Sequence, residues 1–416
     1  MQFVGASSAA VRSVTKHGSN QRPVGLTWNQ RFARVDGHES INHQTMTPDT
    51  FFLSHIQYAY HFDFCRHCLS GTNMIQLLRS LFFVGVFALL ALLSGFSTYC
   101  WAQEPAKKDT TVEVNAKQTS TEPVVKQTTS DRLKSTIVYL SETIGERNLR
   151  KPAKLAEASD YIQKTMESMQ YKIERQTFDV VGFERFPCHN LIAEVPGKDK
   201  PKEIVLIGAH YDSAQGTPGA NDNGSGAAAV IEIANQLSGK QFARTVRFVF
   251  FTNEEPPFFQ RDGQMGSWVY AKACRQKGDN LKLVMSLETM GYFTDVPDSQ
   301  KYPPLLAALY PSTGNFIGLV SDVQSRPLLL DVEKRLRKHC EVDVQIGSLP
   351  SELQGVGWSD HWSFWQEGYM GLMVTDTALF RYPHYHQPTD TVDKIEFVRF
   401  SQVVNGLAKT IEDFAK

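Results

Sequence analysis

The stretch TVRFVFFTNEEPPFF, residues 245–259, decides how the chain is read. Its first half is rich in β-branched and aromatic residues, and 245–252 reads as a buried strand. The second half changes abruptly: Glu254 and Glu255 stand side by side, where their charges repel, and Pro256 and Pro257 stop the strand. An adjacent Glu pair is ordinarily a piece of solvated loop. It means more only if the rest of the chain supplies something positive for both carboxylates to face.

Strand and helix patterns alternate on either side of this stretch. Segments 131–144 and 152–169 are amphipathic in the helical sense, 189–195 reads as a strand, and 203–208 (EIVLIG) reads as a central, buried one. Helical spacing returns at 226–237, 266–275 and 326–340, with strands at 283–287, 316–320 and 371–375. A closing helix places Phe397, Phe400, Val404, Leu407, Ile411 and Phe414 on one stripe. This alternation predicts an α/β fold of three αβα layers, with a mostly parallel central sheet and helices on both faces. Ligands in such folds bind beyond the carboxyl ends of the strands.

Polar clusters fall just there. GAHYDS places His210 and Asp212 after a strand, GANDNGSG puts Asp222 before a helix, and SLETMGY ends a strand at Glu288. RYPHYHQPTDT adds His384 and His386 near the C-terminus. Singly, each has an ordinary reading: a core histidine, a turn aspartate, a surface glutamate. Jointly, strand-end placement of them all is hard to obtain by accident. Histidine with several carboxylates and no thiolate suits zinc or a similar divalent ion. Two such ions, about 3.5–4 Å apart and sharing a carboxylate, would activate water and polarise a substrate carbonyl. The Glu pair then makes sense: one carboxylate binds metal while its neighbour takes the proton of the attacking water.

Bulk properties agree with a globular protein. The 416 residues are 42% apolar and 21% charged, enough for one large domain or two smaller ones. A net charge of -1 gives no electrostatic reason for a nucleic-acid partner. Cys188, Cys274 and Cys340 form no disulfide framework, and Cys65 and Cys68 lack the second pair that a zinc site needs.

The motifs AHYDS, GANDNGSG, TNEEPPFF followed by MGSWVYA, LETMGY, SDHWSF and YHQPTDT together resemble those of the co-catalytic zinc aminopeptidases. This bacterial leucyl aminopeptidase-like family is related to glutamate carboxypeptidase and glutaminyl cyclase, and the resemblance covers residues 131–416. It implies a metal-dependent exopeptidase, two zinc ions per chain and peptide substrates. His210, Asp222 and Glu288 would hold one ion and Asp222, Glu255 and His386 the other, with Asp222 bridging. Glu254 would be general base, then general acid to the leaving amine. Asp212 would accept a hydrogen bond from the second nitrogen of His210. The Asp222–Asn223 peptide bond is expected to be cis. Glu288 departs from the Asp that many relatives carry, and His384 is the competitor of His386. Two other readings stand beside this one: a glutaminyl cyclase-like acyltransferase with a single zinc, and a retired peptidase fold that only binds, as in transferrin-receptor ectodomains.

Ahead of this domain, residues 74–102 pattern as a signal peptide: Arg79, an apolar run from Leu81 to Leu93, and Ala102 at the cleavage position. Residues 1–73 are expected to be an untranslated or disordered extension before a start at Met74, and 103–130 a flexible tether. Export to the periplasm or beyond is the expectation, with an uncleaved membrane anchor over 80–102 as its alternative. Specificity is expected from the loop after Pro256 and from segments 295–314 and 346–358, with Phe258, Phe259, Tyr292 and Trp358 as candidate pocket aromatics. Asp360 and His361 of SDHWSF are expected to line the pocket.

Overall fold

The computed structural model describes residues 127–180, 186–303 and 306–416. The N-terminal extension, the export segment and the tether up to residue 126 lie outside the described residues.

Strand parity sorts the molecule into layers. Along β3 (Lys200–His210), Val205, Ile207 and Ala209 enter one core cluster and Leu206 enters the other. The same alternation divides β4 (Arg244–Phe251), with Phe248 and Phe250 on one face and Val249 and Phe251 on the other. It also divides β5 (Asn280–Glu288), where Met285 and Val284 point apart. Because side chains alternate with period 2, strands apolar at every position must be covered on both sides.

The cover on one face comes from α1 (Thr129–Val138), α2 (Pro152–Ser168), α3 (Gly224–Leu237), α5 (Arg326–Leu336) and α8 (Phe397–Ala415). On the other face lie α4 (Gly266–Lys277) and the short α6 (His361–Gln366), through Tyr270, Cys274 and Phe364. Local sequence sets the helix ends. Thr128 and Asp131 close a capping box on α1, Pro152 opens α2, and Gly278 ends α4 in the left-handed conformation. In α8 the predicted stripe holds: Phe400, Val404, Leu407, Ile411 and Phe414 are buried, and Phe397 is partly so.

The sheet has eight strands in the order β1-β2-β4-β3-β5-β8-β6-β7, where β1 is Ile173–Phe178, β2 Cys188–Val195, β6 Phe316–Ser321, β7 Asp343–Ser348 and β8 Leu372–Thr375. The neighbours β4, β3, β5 and β8 run parallel, so their carboxyl ends share one edge. Antiparallel pairing joins β1 to β2, β2 to β4, and β6 to β8. Gly208 lies between Val249 and Ser286, and a Cβ there would meet the Phe251 ring at 2.5 Å. The predicted α/β class with a mostly parallel sheet is what forms.

Several elements escape the sequence pattern, among them the short helix at Ala378–Arg381. The strands β1 (IERQTF) and β7 (DVQIGS) lie at the sheet edges, where burial is only partial and the apolar run that marks a central strand is absent. The short α6 begins within SDHWSF, read above only as a motif, and runs two residues past it. The predicted helix 326–340 stops at Leu336 and continues as turns, with the Cys340 N–H still bonded to the Leu336 carbonyl. Cys188 and Cys274 are buried and Cys340 is partly so, and all three thiols are free. Among the described residues no helix is long and apolar enough to cross a membrane.

Candidate active site

The polar clusters meet at the shared carboxyl edge. His210 is the last residue of β3 and Glu288 the last of β5, while Glu254 and Glu255 follow β4. Asp222 precedes Asn223, the N-cap of α3, whose side chain accepts the Gly226 N–H. His386 stands on the loop after α7 (Ala378–Arg381).

Two groups form. His210, Glu254 and Glu288 each offer an atom within 4.8 Å of the others, and so do Asp222, Glu255 and His386. Asp222 faces both: its Oδ1 is 3.5 Å from His210 Nε2, and its Oδ2 is 3.1 Å from His386 Nε2. Around His210 Nε2, Glu288 Oε2 lies at 3.1 Å and Glu254 Oε2 at 3.8 Å. Glu255 Oε2 is 3.1 Å from His386 Nε2. The competitor His384 is in neither group; its Nδ1 bonds Thr389 Oγ1 at 2.9 Å.

Asp212 sits beneath both groups. His210 Nδ1 is 3.2 Å from the Asp212 carbonyl oxygen and 3.4 Å from its Oδ1. Its two carboxylate oxygens accept the Glu254 and Glu255 amide N–H groups, each at 3.2 Å. One aspartate therefore orients a histidine ring and the backbone of the Glu pair, and the second task is not visible in the motif.

The electrostatics follow from crowding carboxylates out of water. Burial holds the Glu254 carboxyl well above its usual range, more than nearby His210 offsets, and Glu288 and Glu255 add to the rise. Burial and the neighbouring Asp222 charge push Glu255 up to about 7. Burial opposes charge on His386, but Asp222 and Glu255 carry its pKa up to about 11. Asp222 Oδ2 and both Glu255 carboxylate oxygens are buried with no donor in hydrogen-bonding geometry. Orphaned buried carboxylate oxygens are costly unless a cation meets them. With two imidazoles and no thiolate, the donor set fits zinc.

The backbone is also unusual here. The Asp222–Asn223 bond is cis, as expected, and so is Pro256–Pro257. Asn253, Thr289 and His386 have φ of 57°, 48° and 56°, placing left-handed residues next to Glu254, next to Glu288 and at His386 itself. Such conformations cost on the order of 1–3 kcal/mol each and concentrate at functional sites.

Several supports carry no signal in the sequence. Arg147, fully buried, donates to the carbonyls of Tyr211 at 2.7 Å, Pro218 at 2.6 Å and Gly219 at 2.8 Å, which clamps the loop between His210 and Asp222. Burial lowers its pKa to about 10, with Asp390, Asp212 and Asp222 opposing, so its positive charge faces the carboxylates. Ser359 Oγ and Asn223 Nδ2 donate to Glu288 Oε2 at 2.9 and 3.1 Å.

An apolar cavity opens beside Glu288, lined by Tyr302, Leu306, Phe316, Ile346, Trp358 and Tyr385 among others. Segments 295–314 and 346–358 supply about half of its walls and residues of 316–320 and 373–385 most of the rest, whereas the loop after Pro256, also expected to contribute, does not line it. Tyr385 also stacks on His386, ring centroids 4.0 Å apart, joining the cavity to the candidate ligands. The aromatic candidates need correction: Trp358 lines it, whereas Phe258 is buried in the core and Tyr292 packs on Tyr382 with centroids 4.9 Å apart. Phe259 is not in the lining. Nor do Asp360 and His361 line it; both are fully buried behind it, and His361 Nε2 bonds the carbonyl of Val356, which does.

Comparison with known proteins gives consistent likenesses. The model of peptidase family M28 matches residues 190–411. The chain is 34% identical over 286 residues to the uncharacterized protein YfbL of Escherichia coli K12, covering 67% of this chain and 86% of that one. It is 25% identical over 314 residues to leucine aminopeptidase 1 of Arthroderma otae, covering 69% and 78%. Among solved structures, a zinc aminopeptidase from Bacillus subtilis shares the fold with TM-score 0.56 at 17% identity, over 69% of this chain and 95% of that one. A glutaminyl cyclase from Porphyromonas gingivalis does so with TM-score 0.53 at 17% identity, over 68% and 98%.

Proposed function

The chain belongs to peptidase family M28, a hydrolase acting on peptides, and from that premise we propose that it is an exported aminopeptidase using two zinc ions. The observation that carries this reading is Asp222: its two oxygens face different histidines, at 3.5 and 3.1 Å, as a carboxylate shared by two cations must. His210 and Glu288 would hold one ion, Glu255 and His386 the other. Bound zinc would supply Lewis acidity toward a substrate carbonyl and lower the pKa of water.

The chain's own residues do the rest. Glu254 is the proton carrier: it stands farther from His210 than Glu288 does, 3.8 against 3.1 Å, and its buried carboxyl favours holding a proton. It takes the proton from water attacking the scissile carbonyl and gives it to the departing amine. Asp212 keeps Glu254 and Glu255 in register through their amides. The apolar cavity beside Glu288 receives the side chain of the terminal residue, which supports a preference for apolar residues.

The fold shared with a glutaminyl cyclase keeps a single-zinc acyltransferase as the second reading. A retired binding fold has no reason to keep every ligand. A screen of amino-acid arylamides with blocked and unblocked short peptides tests the proposal. Release of free N-terminal residues is the expected result; cyclisation of N-terminal glutamine, or cleavage of N-blocked peptides alone, would overturn it. Export rests on the pattern of residues 74–102, and mass spectrometry should find mature protein beginning at Gln103. Peptides from residues 1–73 would contradict that start.

A further inference from the structure

The loop that carries Asp222 and the loop that carries His386 are fastened to each other through one residue, Asp390. Its buried carboxylate accepts two consecutive amides, Asn221 N–H at Oδ1 (2.8 Å) and Asp222 N–H at Oδ2 (3.0 Å). Tyr382 Oη–H donates to Oδ1 at 2.7 Å, and the Asp390 carbonyl accepts Ala220 N–H at 3.2 Å. Asp390 is tied in turn to the histidine turn: its N–H bonds the Gln387 carbonyl, and Gln387 N–H bonds the His384 carbonyl, both at 3.0 Å.

These bonds fix the separation of two groups that no regular element relates. Asp222 precedes a helix and His386 follows one, yet Asp222 Oδ2 and His386 Nε2 meet at 3.1 Å. Two acceptor oxygens are needed to receive two adjacent N–H donors, which a carboxylate provides and a carboxamide does not. His210 and Glu288, by contrast, end paired parallel strands and are placed by sheet register.

We propose that Asp390 is a positioning residue for the Asp222–Glu255–His386 centre and sets that centre's affinity for a divalent cation far more than that of His210 and Glu288, which share only Asp222 with it. The proposal rests on the two-zinc reading. Supporting groups of this kind typically change metal affinity by about 10–100-fold.

The test is titration of the zinc-free full chain with zinc in a chelator-buffered series, with bound metal counted by elemental analysis. Wild type should take two equivalents; fewer would end the two-zinc reading and this proposal with it. Asp390→Asn should take the first equivalent with little change in affinity and the second about 10–100-fold more weakly, while the zinc-free variant still unfolds in one cooperative transition. Tyr382→Phe, which leaves the carboxylate and both amides in place, should weaken the second equivalent by less. If Asp390→Asn weakens both equivalents alike, or neither, the proposal is overturned while the two-zinc reading stands. Should Asp390→Asn fail to fold, Tyr382→Phe decides: unchanged second-equivalent affinity overturns the proposal.

Discussion

The two halves of the candidate metal site are built differently. His210 and Glu288 terminate neighbouring parallel strands, so backbone pairing already places them. Asp222, Glu255 and His386 all stand on loops, and their positions depend on buried groups outside both candidate ligand sets: Asp212 on the Glu pair, Arg147 on the loop before Asp222, Asp390 between Asp222 and His386. The difference shows that a strand end is itself a positioning device, whereas a loop-borne ligand needs a buried network of its own.

The sharpest way to break the comparison is at Glu254. If it belongs to the strand-end group as a ligand, Glu254→Gln should lose zinc; if it is the proton carrier, zinc stays bound. We expect both ions to remain while turnover falls by roughly 100-fold to 10,000-fold. Glu255→Gln, one residue away and chemically the same change, should weaken zinc binding, and excess zinc should recover part of its activity. Metal content and turnover measured on both variants separate the roles.

A second test removes a support of the loop-borne half. Arg147→Met removes a buried donor from the carbonyls of Tyr211, Pro218 and Gly219, the last of which keeps the Gly224 N–H, so denaturant unfolding should show a loss of roughly 2–3 kcal/mol. A loss well under 1 kcal/mol would mean that the clamp contributes little. The smallest effect is expected at the strand-end half. Ser359→Ala removes one of the donors to Glu288 Oε2 and should cost about 1 kcal/mol of affinity for one ion, read in a zinc titration. A larger loss, spread over both ions, would show that Glu288 depends on its neighbours as much as Asp222 does.

This division also explains what the sequence disclosed. The layers were legible because β3, β4 and β5 are apolar at successive positions, and the strand-end ligands were legible because His210 and Glu288 break those apolar runs. His386 was separable from His384 only through its motif setting. Arg147 was not legible: its partners are carbonyls at Tyr211, Pro218 and Gly219, distant in sequence and without side-chain identity. Two of the three expected segments supply cavity walls, and whether Phe258 and Tyr292 line it or pack elsewhere was not legible because composition does not say which way an aromatic ring turns. The edge strands β1 and β7 were missed because one side of each lacks a partner strand and carries a weaker apolar pattern.

The account turns on two cations held by two distinct groups that share Asp222. Zinc per chain, counted on the purified, zinc-loaded protein after dialysis alongside its turnover, tests that directly. The prediction is two equivalents for wild type and one each for Glu288→Ala and Glu255→Gln after dialysis. Full activity at one equivalent, with Glu288→Ala and Glu255→Gln leaving the count unchanged, would contradict it.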